Sequence, residues 1–204
     1  MPCTGIIMTN LATRPGFDAE AYLAWEEQQP EKHEYLSGEV FARVGARREQ
    51  VVVSLNLAAA FKQRLRGGPC QASVSDLMLR VGAVDGFFYP DVMVSCDPRD
   101  QAAVQLIEHP ILIVEVLSES TAAFDRGDRF AAYRSLPSLQ EYVLVDIPSR
   151  RVETFRRTAD PDWLFNEHRP GLGECHFPAV GVSIPFEEIF ENLGPDDAGL
   201  GGQP

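Results

Sequence analysis

Phe88-Tyr89-Pro90-Asp91-Val92-Met93-Val94, followed after a polar connection by Ile111-Leu112-Ile113-Val114-Glu115-Val116-Leu117-Ser118, decides how this chain is read. Each run is mostly apolar and β-branched, so each reads as a buried strand. Each carries one carboxylate in or beside that apolar context, Asp91 in the first and Glu115 in the second. An ionised carboxylate is costly to bury alone and takes a metal ion, a cation or a hydrogen-bond network as partner. Two such acids on neighbouring strands can meet at one Mg²⁺, which prefers hard oxygen ligands and keeps several of its waters. By local sequence alone, Asp91 reads as a strand-end residue capping a loop, and the second acid is what moves the reading toward a metal. The structural alternative for Glu115 is an ion pair with Arg129.

Outward from this pair, Phe17 to Glu27 reads as a short amphipathic helix ended by Pro30. Glu34-Tyr35-Leu36 and Glu39 to Val44 read as a hairpin turned at Ser37-Gly38. Glu49 to Arg66 is a long helix with Val52, Leu55, Ala59 and Leu65 marking its apolar side, stopped by Gly67-Gly68-Pro69. Cys70 to Val81 alternates as a single strand, and Asp97 to His109 is a loop with room for a helical turn. Thr121 to Leu136 is a helix, with Asp125 and Asp128 decorating its start and Tyr133 packing in the core. Glu141 to Asp146 and Arg151 to Arg156 are strands joined through Pro148-Ser149, with an edge strand at Trp163 to Glu167 and a closing helix at Phe186 to Leu193. The expected class is a mixed α/β or α+β domain over residues 17–193, with a central mixed sheet flanked by helices and an N-terminal helix and hairpin. Residues 1–16 read as a loose leader and 194–204 as a flexible acidic tail.

The 204 residues suit one domain with a full core, and 45% hydrophobic with 24% charged residues excludes a disordered chain. No apolar run approaches the ~20 residues of a membrane span, and the N-terminus lacks the pattern of a signal peptide. Cys3, Cys70, Cys96 and Cys175 form no CxxC pair and read as free thiols of a reducing cytoplasm. His168, Cys175 and His176 match no zinc spacing. A net charge of −12 counts against nucleic acid as a partner, since phosphate binding needs a basic footprint. Local basic rims remain available at Arg47 and Arg48, at Lys62-Arg64-Arg66, at Arg126 with Arg129 and Arg134, and at Arg150-Arg151 with Arg156-Arg157.

The ordered set Tyr89-Pro90-Asp91-Val92, Val114-Glu115-Val116-Leu117-Ser118, Asp125-Arg126-Gly127-Asp128-Arg129 through Tyr133-Arg134, and Glu141 to Asp146 resembles the Uma-type family of bacterial restriction endonucleases. Tyr22-Leu23 and Glu34-Tyr35-Leu36-Ser37-Gly38-Glu39-Val40 match as well, so the resemblance spans roughly residues 17–193. It implies a PD-(D/E)XK nuclease fold in which Asp91, Glu115 and the Val116 carbonyl hold Mg²⁺, with Mn²⁺ a possible substitute, and in which Glu34 lies near the site. It further implies DNA as substrate and a two-fold homodimer for cutting both strands. The chain departs from the fold's usual pattern at one point and from the family pattern at two. The Lys usual in the fold two places after the metal Glu is Leu117, the family's displaced Lys on the next helix is Arg129, and no His stands in Arg47-Arg48-Glu49-Gln50. A guanidinium keeps its proton, so Arg129 cannot be a general base, although it can hold a phosphate oxygen. The departures leave a rival reading, a catalytically silent nuclease-like domain that binds a partner protein or nucleic acid.

Overall fold

Ile111 to Val116 is an apolar, mostly β-branched run broken only by Glu115, as expected of a strand covered on both faces. In the computed structural model, which describes residues 10–13, 17–43, 45–158 and 162–194, it forms the centre of strand β9 (Pro110–Val116). β9 pairs parallel with β10 (Glu141–Asp146) on one side and antiparallel with β7 (Val92–Ser95) on the other. With β11 (Arg151–Arg157), β12 (Trp163–His168) and β4 (Gln71–Val74) they make a mixed six-stranded sheet in the order β12-β11-β10-β9-β7-β4.

A second six-stranded sheet, in the order β1-β3-β2-β6-β5-β8, is built from β1 (Asn10–Thr13), the hairpin of β2 (His33–Leu36) and β3 (Glu39–Ala42), β5 (Met78–Val81), β6 (Gly86–Phe88) and β8 (Leu106–Ile107). Its hairpin turns at Ser37 and Gly38, both at positive φ, the conformation a tight two-residue turn requires. The expected loose leader therefore contains a strand at Asn10–Thr13, because the outer edge of β3 offers it unpaired main-chain groups. The other leader residues, Val44 and residues 195–204 of the expected tail lie outside the described residues. The stretch read as one strand over Cys70 to Val81 is two. A turn at Ser75-Asp76-Leu77 breaks it and sends β4 to one sheet and β5 to the other.

Helix α1 (Ala19–Glu26) packs on the second sheet through Tyr22, which joins Tyr35, Val40, Phe87 and Tyr89 in a cluster of its own. Helix α2 (Arg48–Arg64) covers one face of the central sheet with Val53, Leu57, Ala60 and Phe61. This is not the face expected from Val52, Leu55 and Ala59: Leu55 is 63% exposed and Leu57 fully buried. The same face is closed by β13 (Glu174–Phe177), β14 (Val182–Pro185) and α6 (Phe186–Ile189), the last one turn shorter than its sequence suggested. The loop before β9 holds α3 (Pro98–Gln101), opened by Asp97 accepting the Arg99 N–H. The opposite face of the sheet is covered by an interrupted helix, α4 (Ala122–Phe124), a π-helical turn (Asp125–Arg129) and α5 (Phe130–Tyr133).

Cys70 and Cys96 are joined by a disulfide, with their Cα atoms 3.9 Å apart. This corrects the reading of both as free thiols. They are 26 residues apart in sequence, but antiparallel pairing of β4 with β7 brings their flanking positions side by side, Gln71 opposite Ser95. Cys175 is buried and free, and burial pushes its thiol up to about 12.

Candidate active site

Strand register brings Asp91 and Glu115 together. Val92 lies opposite Val114, so the same register carried one residue on sets Asp91 against Glu115. Opposed residues of an antiparallel pair point to the same face. Val92, Val114 and Val116 point toward α2, whereas Met93, Ile113 and Leu117 pack under α5 with Tyr133 and Tyr142. Both acids share that second parity, and their distance along the chain, from 91 to 115, does not separate them in space.

Each carboxylate is held by named partners. Asp91 Oδ2 accepts the Val116 N–H at 2.8 Å, and Oδ1 lies 3.4 Å from the Arg43 guanidinium. Glu115 is 2% exposed; its Oε1 accepts the Tyr133 hydroxyl at 2.8 Å and lies 3.3 Å from Arg129 Nη1. Glu34 Oε1 accepts the Tyr89 N–H at 3.1 Å, while Oε2 pairs with Arg129 Nη2. The Val116 carbonyl accepts from Gln50 Nε2 at 3.1 Å, and Gln50 Oε1 accepts the Arg47 N–H, tying the start of α2 to the end of β9.

Arg129 is the hub. Its guanidinium is buried among Glu34, Glu115 and Asp125, the last 3.0 Å from Nη1, and its Nε faces no acceptor. Asp125 Oδ1, though close, lies outside hydrogen-bonding angles. Four carboxyl groups, Glu34, Asp91, Glu115 and Asp125, thus meet two cations, Arg43 and Arg129. Burial pushes Asp91 and Glu115 above the ordinary carboxylate range, and Asp125 up to about 6. Burial also raises the Tyr133 hydroxyl, and Glu115 beside it adds to the rise. Burial works against the charge of Arg129, yet Glu34 and Glu115 outweigh it and hold the guanidinium firmly protonated.

The sequence pointed to Asp91, Glu115, Val116, Arg129 and Glu34, and the fold gathers all five at one end of β9. Three further residues join them. Asp125, read as decoration of a helix start, is 1% exposed and turned onto Arg129. Tyr133, read as core, is buried, but its hydroxyl is aimed at Glu115. Gln50, in the stretch where the family resemblance implies a His, donates to the Val116 carbonyl instead. The i, i+4 spacing of Asp125, Arg129 and Tyr133 was the signal that could have found the first two.

The donor set fits Mg²⁺. Two carboxyl groups and a main-chain carbonyl are hard oxygen donors, the kind a divalent cation of this type takes. Among the described residues no three His, Cys, Asp or Glu converge tightly enough to hold an ion by side chains alone. Several expected basic rims are engaged elsewhere: Arg126 pairs with Glu153, Arg151 with Asp146 and Glu167, and Arg157 donates to three main-chain carbonyls. Arg47, beside Gln50, is exposed at the site's edge.

A mixed sheet with an acid at the end of a central strand, faced by a second acid across an antiparallel pair and flanked by helices, is an arrangement of the restriction-endonuclease-like fold. The crystal structure of "a putative nuclease belonging to DUF820" from Anabaena variabilis superposes with a TM-score of 0.70 at 14% identity, over 85% of this chain and 97% of that one. At this identity the likeness shows the fold alone. The chain belongs to the Uma2 family, whose model, described as "Putative restriction endonuclease", matches residues 19–183. The Synechocystis sp. proteins slr1290 and sll1609 are 38% and 36% identical over 179 and 177 residues, covering 88% and 86% of this chain and 94% and 100% of theirs. No helix of the described residues is long and apolar enough to cross a membrane.

Proposed function

We propose that this protein is a Mg²⁺-dependent endonuclease that hydrolyses DNA phosphodiester bonds, with Mn²⁺ as an alternative ion. The observation that supports it most is the convergence of Asp91, Glu115 and the Val116 carbonyl at one strand end, where four carboxyl groups meet two cations. Asp91, Glu115 and Val116 hold the ion, which when bound supplies Lewis acidity toward water and the scissile phosphate. Tyr133 and the Val116 N–H orient the two carboxylates. Arg129 holds Glu115 and Glu34 in place, and reaches a phosphate oxygen by exchanging one of these partners. Glu34 orients a water at the site, and Arg47 and Arg43 supply the local positive rim that an acidic chain needs to meet DNA. A two-fold homodimer places two such sites against the two strands.

The test is plasmid nicking in Mg²⁺ or Mn²⁺ by wild type, Asp91→Ala and Glu115→Ala. Wild type cleaves, and each variant loses activity by at least about hundredfold. Equal activity in all three removes the assigned site. A specific observation favours the rival, a silent nuclease-like domain that binds a partner: the guanidinium of Arg129 already neutralises Glu34 and Glu115 from within. Absence of cleavage by wild type, with no metal-induced rise in melting temperature, decides for that reading.

A further inference from the structure

A polar cavity lies on the face of the central sheet opposite the Arg129 cluster. It has a volume of about 230 Å³ and is lined by Glu141, Thr154, Arg156, Asn166, His168 and His176. The strand register explains the gathering. Glu141 faces Arg156 across β10 and β11, and Thr154 faces Asn166 across β11 and β12, so these side chains stand on one face. It is the α2 face: Val143, two residues from Glu141, packs with Val53 and Leu57. The carboxylates around Arg129 belong to the opposite face, since Leu144, the residue opposite Glu115, has the other parity. The candidate active site therefore accounts for none of the cavity's residues.

The cavity is rich in donors. Arg156 contributes a guanidinium, Asn166 an amide and Thr154 a hydroxyl. His176 Nδ1 is engaged by the Ser183 hydroxyl at 2.8 Å, which leaves Nε2 for a ligand, and the His168 ring stands 6.5 Å from it. Glu141 is 1% exposed, and one of its oxygens accepts the Ala179 N–H at 3.1 Å. The donors arrive from β11, β12 and β13 rather than in one plane. That arrangement suits a tetrahedral oxyanion better than a flat carboxylate, and a guanidinium flanked by imidazoles is the chemistry that recognises phosphate. The apolar sides of Leu164 and Pro178 leave room beside it for an organic substituent.

We propose that this cavity is a binding site for a phosphate monoester, held by Arg156, His168 and His176 and separate from the nuclease-like site. Glu141 does not repel such a ligand. Burial pushes its carboxyl up to about 7, so below that pH it is mostly neutral. His168, held below its usual range by burial and by His176, gains its proton when the anion arrives. Glu141, Arg156, His168 and His176 are the titratable groups that line the cavity.

The experiment is NMR of the histidine ring resonances of the whole protein, titrated with inorganic phosphate, a nucleoside monophosphate and acetate. Saturable shifts of the His168 and His176 signals with the two phosphates are expected, weakened at least about tenfold in Arg156→Gln and kept in Glu141→Gln. Tighter binding of the nucleoside monophosphate identifies an esterified phosphate as the ligand, and equal binding identifies free phosphate as sufficient. No saturable shift, equal affinity for acetate, or an Arg156→Gln variant that folds and binds as wild type overturns the proposal.

Discussion

At the scale of single residues, the decisive feature is that Arg129, where the family resemblance implies a Lys, is enclosed rather than presented. A Lys can lose its proton when buried; a guanidinium keeps its own and must be matched by acids. Here Glu34, Glu115 and Asp125 match it. Arg129→Met removes the cation these three share and is expected to destabilise the protein by about 3–5 kcal/mol, read from urea unfolding. If the site also takes a divalent ion, Mn²⁺ raises the melting temperature of this variant by more than it raises that of wild type. Glu141 gives a prediction of the opposite sign. Its folded carboxyl is raised from 4.5 to about 7 by burial, so its contribution is fully present below the unfolded value and is lost as the pH rises through about 7. Glu141→Gln keeps an oxygen for the Ala179 N–H. It should exceed wild type in stability at alkaline pH by at most roughly 3 kcal/mol, with the gain vanishing in acid, as measured by urea unfolding across pH.

At the scale of elements, α2 shows how composition can mislead about which face is buried. Val51 and Leu55 are more than half exposed, whereas Val53, Leu57, Ala60 and Phe61 meet the sheet. Both sets have helical spacing, so periodicity alone does not choose between them. Gln50 does, because its side chain bridges the Arg47 N–H and the Val116 carbonyl and fixes the rotation of the helix against β9. Leu57→Ala is expected to cost about 2–5 kcal/mol, and Leu55→Ala less than about 0.5 kcal/mol, by chemical denaturation. The interrupted helix over the other face has a related logic. Its π-helical turn covers Asp125 to Arg129, and π-turns inside helices often mark functional sites. Here the turn holds both members of the Asp125–Arg129 pair, the two buried ends of the segment.

At the scale of the whole molecule, the Cys70–Cys96 bridge fastens β4 to β7, the strand that begins just after Asp91. Closing a loop of this length is worth about 3 kcal/mol through the unfolded state, so reduction by dithiothreitol should lower the unfolding free energy by up to that amount. An unchanged urea midpoint after complete reduction would show that the bridge adds nothing. The bridge also removes the ground on which the cysteines argued for a reducing compartment. The proposed dimer belongs to this scale too, and light scattering on the purified chain distinguishes one copy from two.

The sequence by itself determined the strands around Asp91 and Glu115, the hairpin at Ser37-Gly38, the mixed class and the family, because burial periodicity and turn chemistry are local. It also placed both acids in apolar runs, where a partner is obligatory. Only the tertiary structure decided what that partner is on this chain: Tyr133, Arg129 and Val116 for the two acids, and Glu34 and Asp125 drawn in around the same guanidinium. It likewise decided that Cys70 meets Cys96, and that Glu141 shares a cavity with two histidines. Those pairings follow from strand order and register, which join residues far apart along the chain, and no local pattern carries that information.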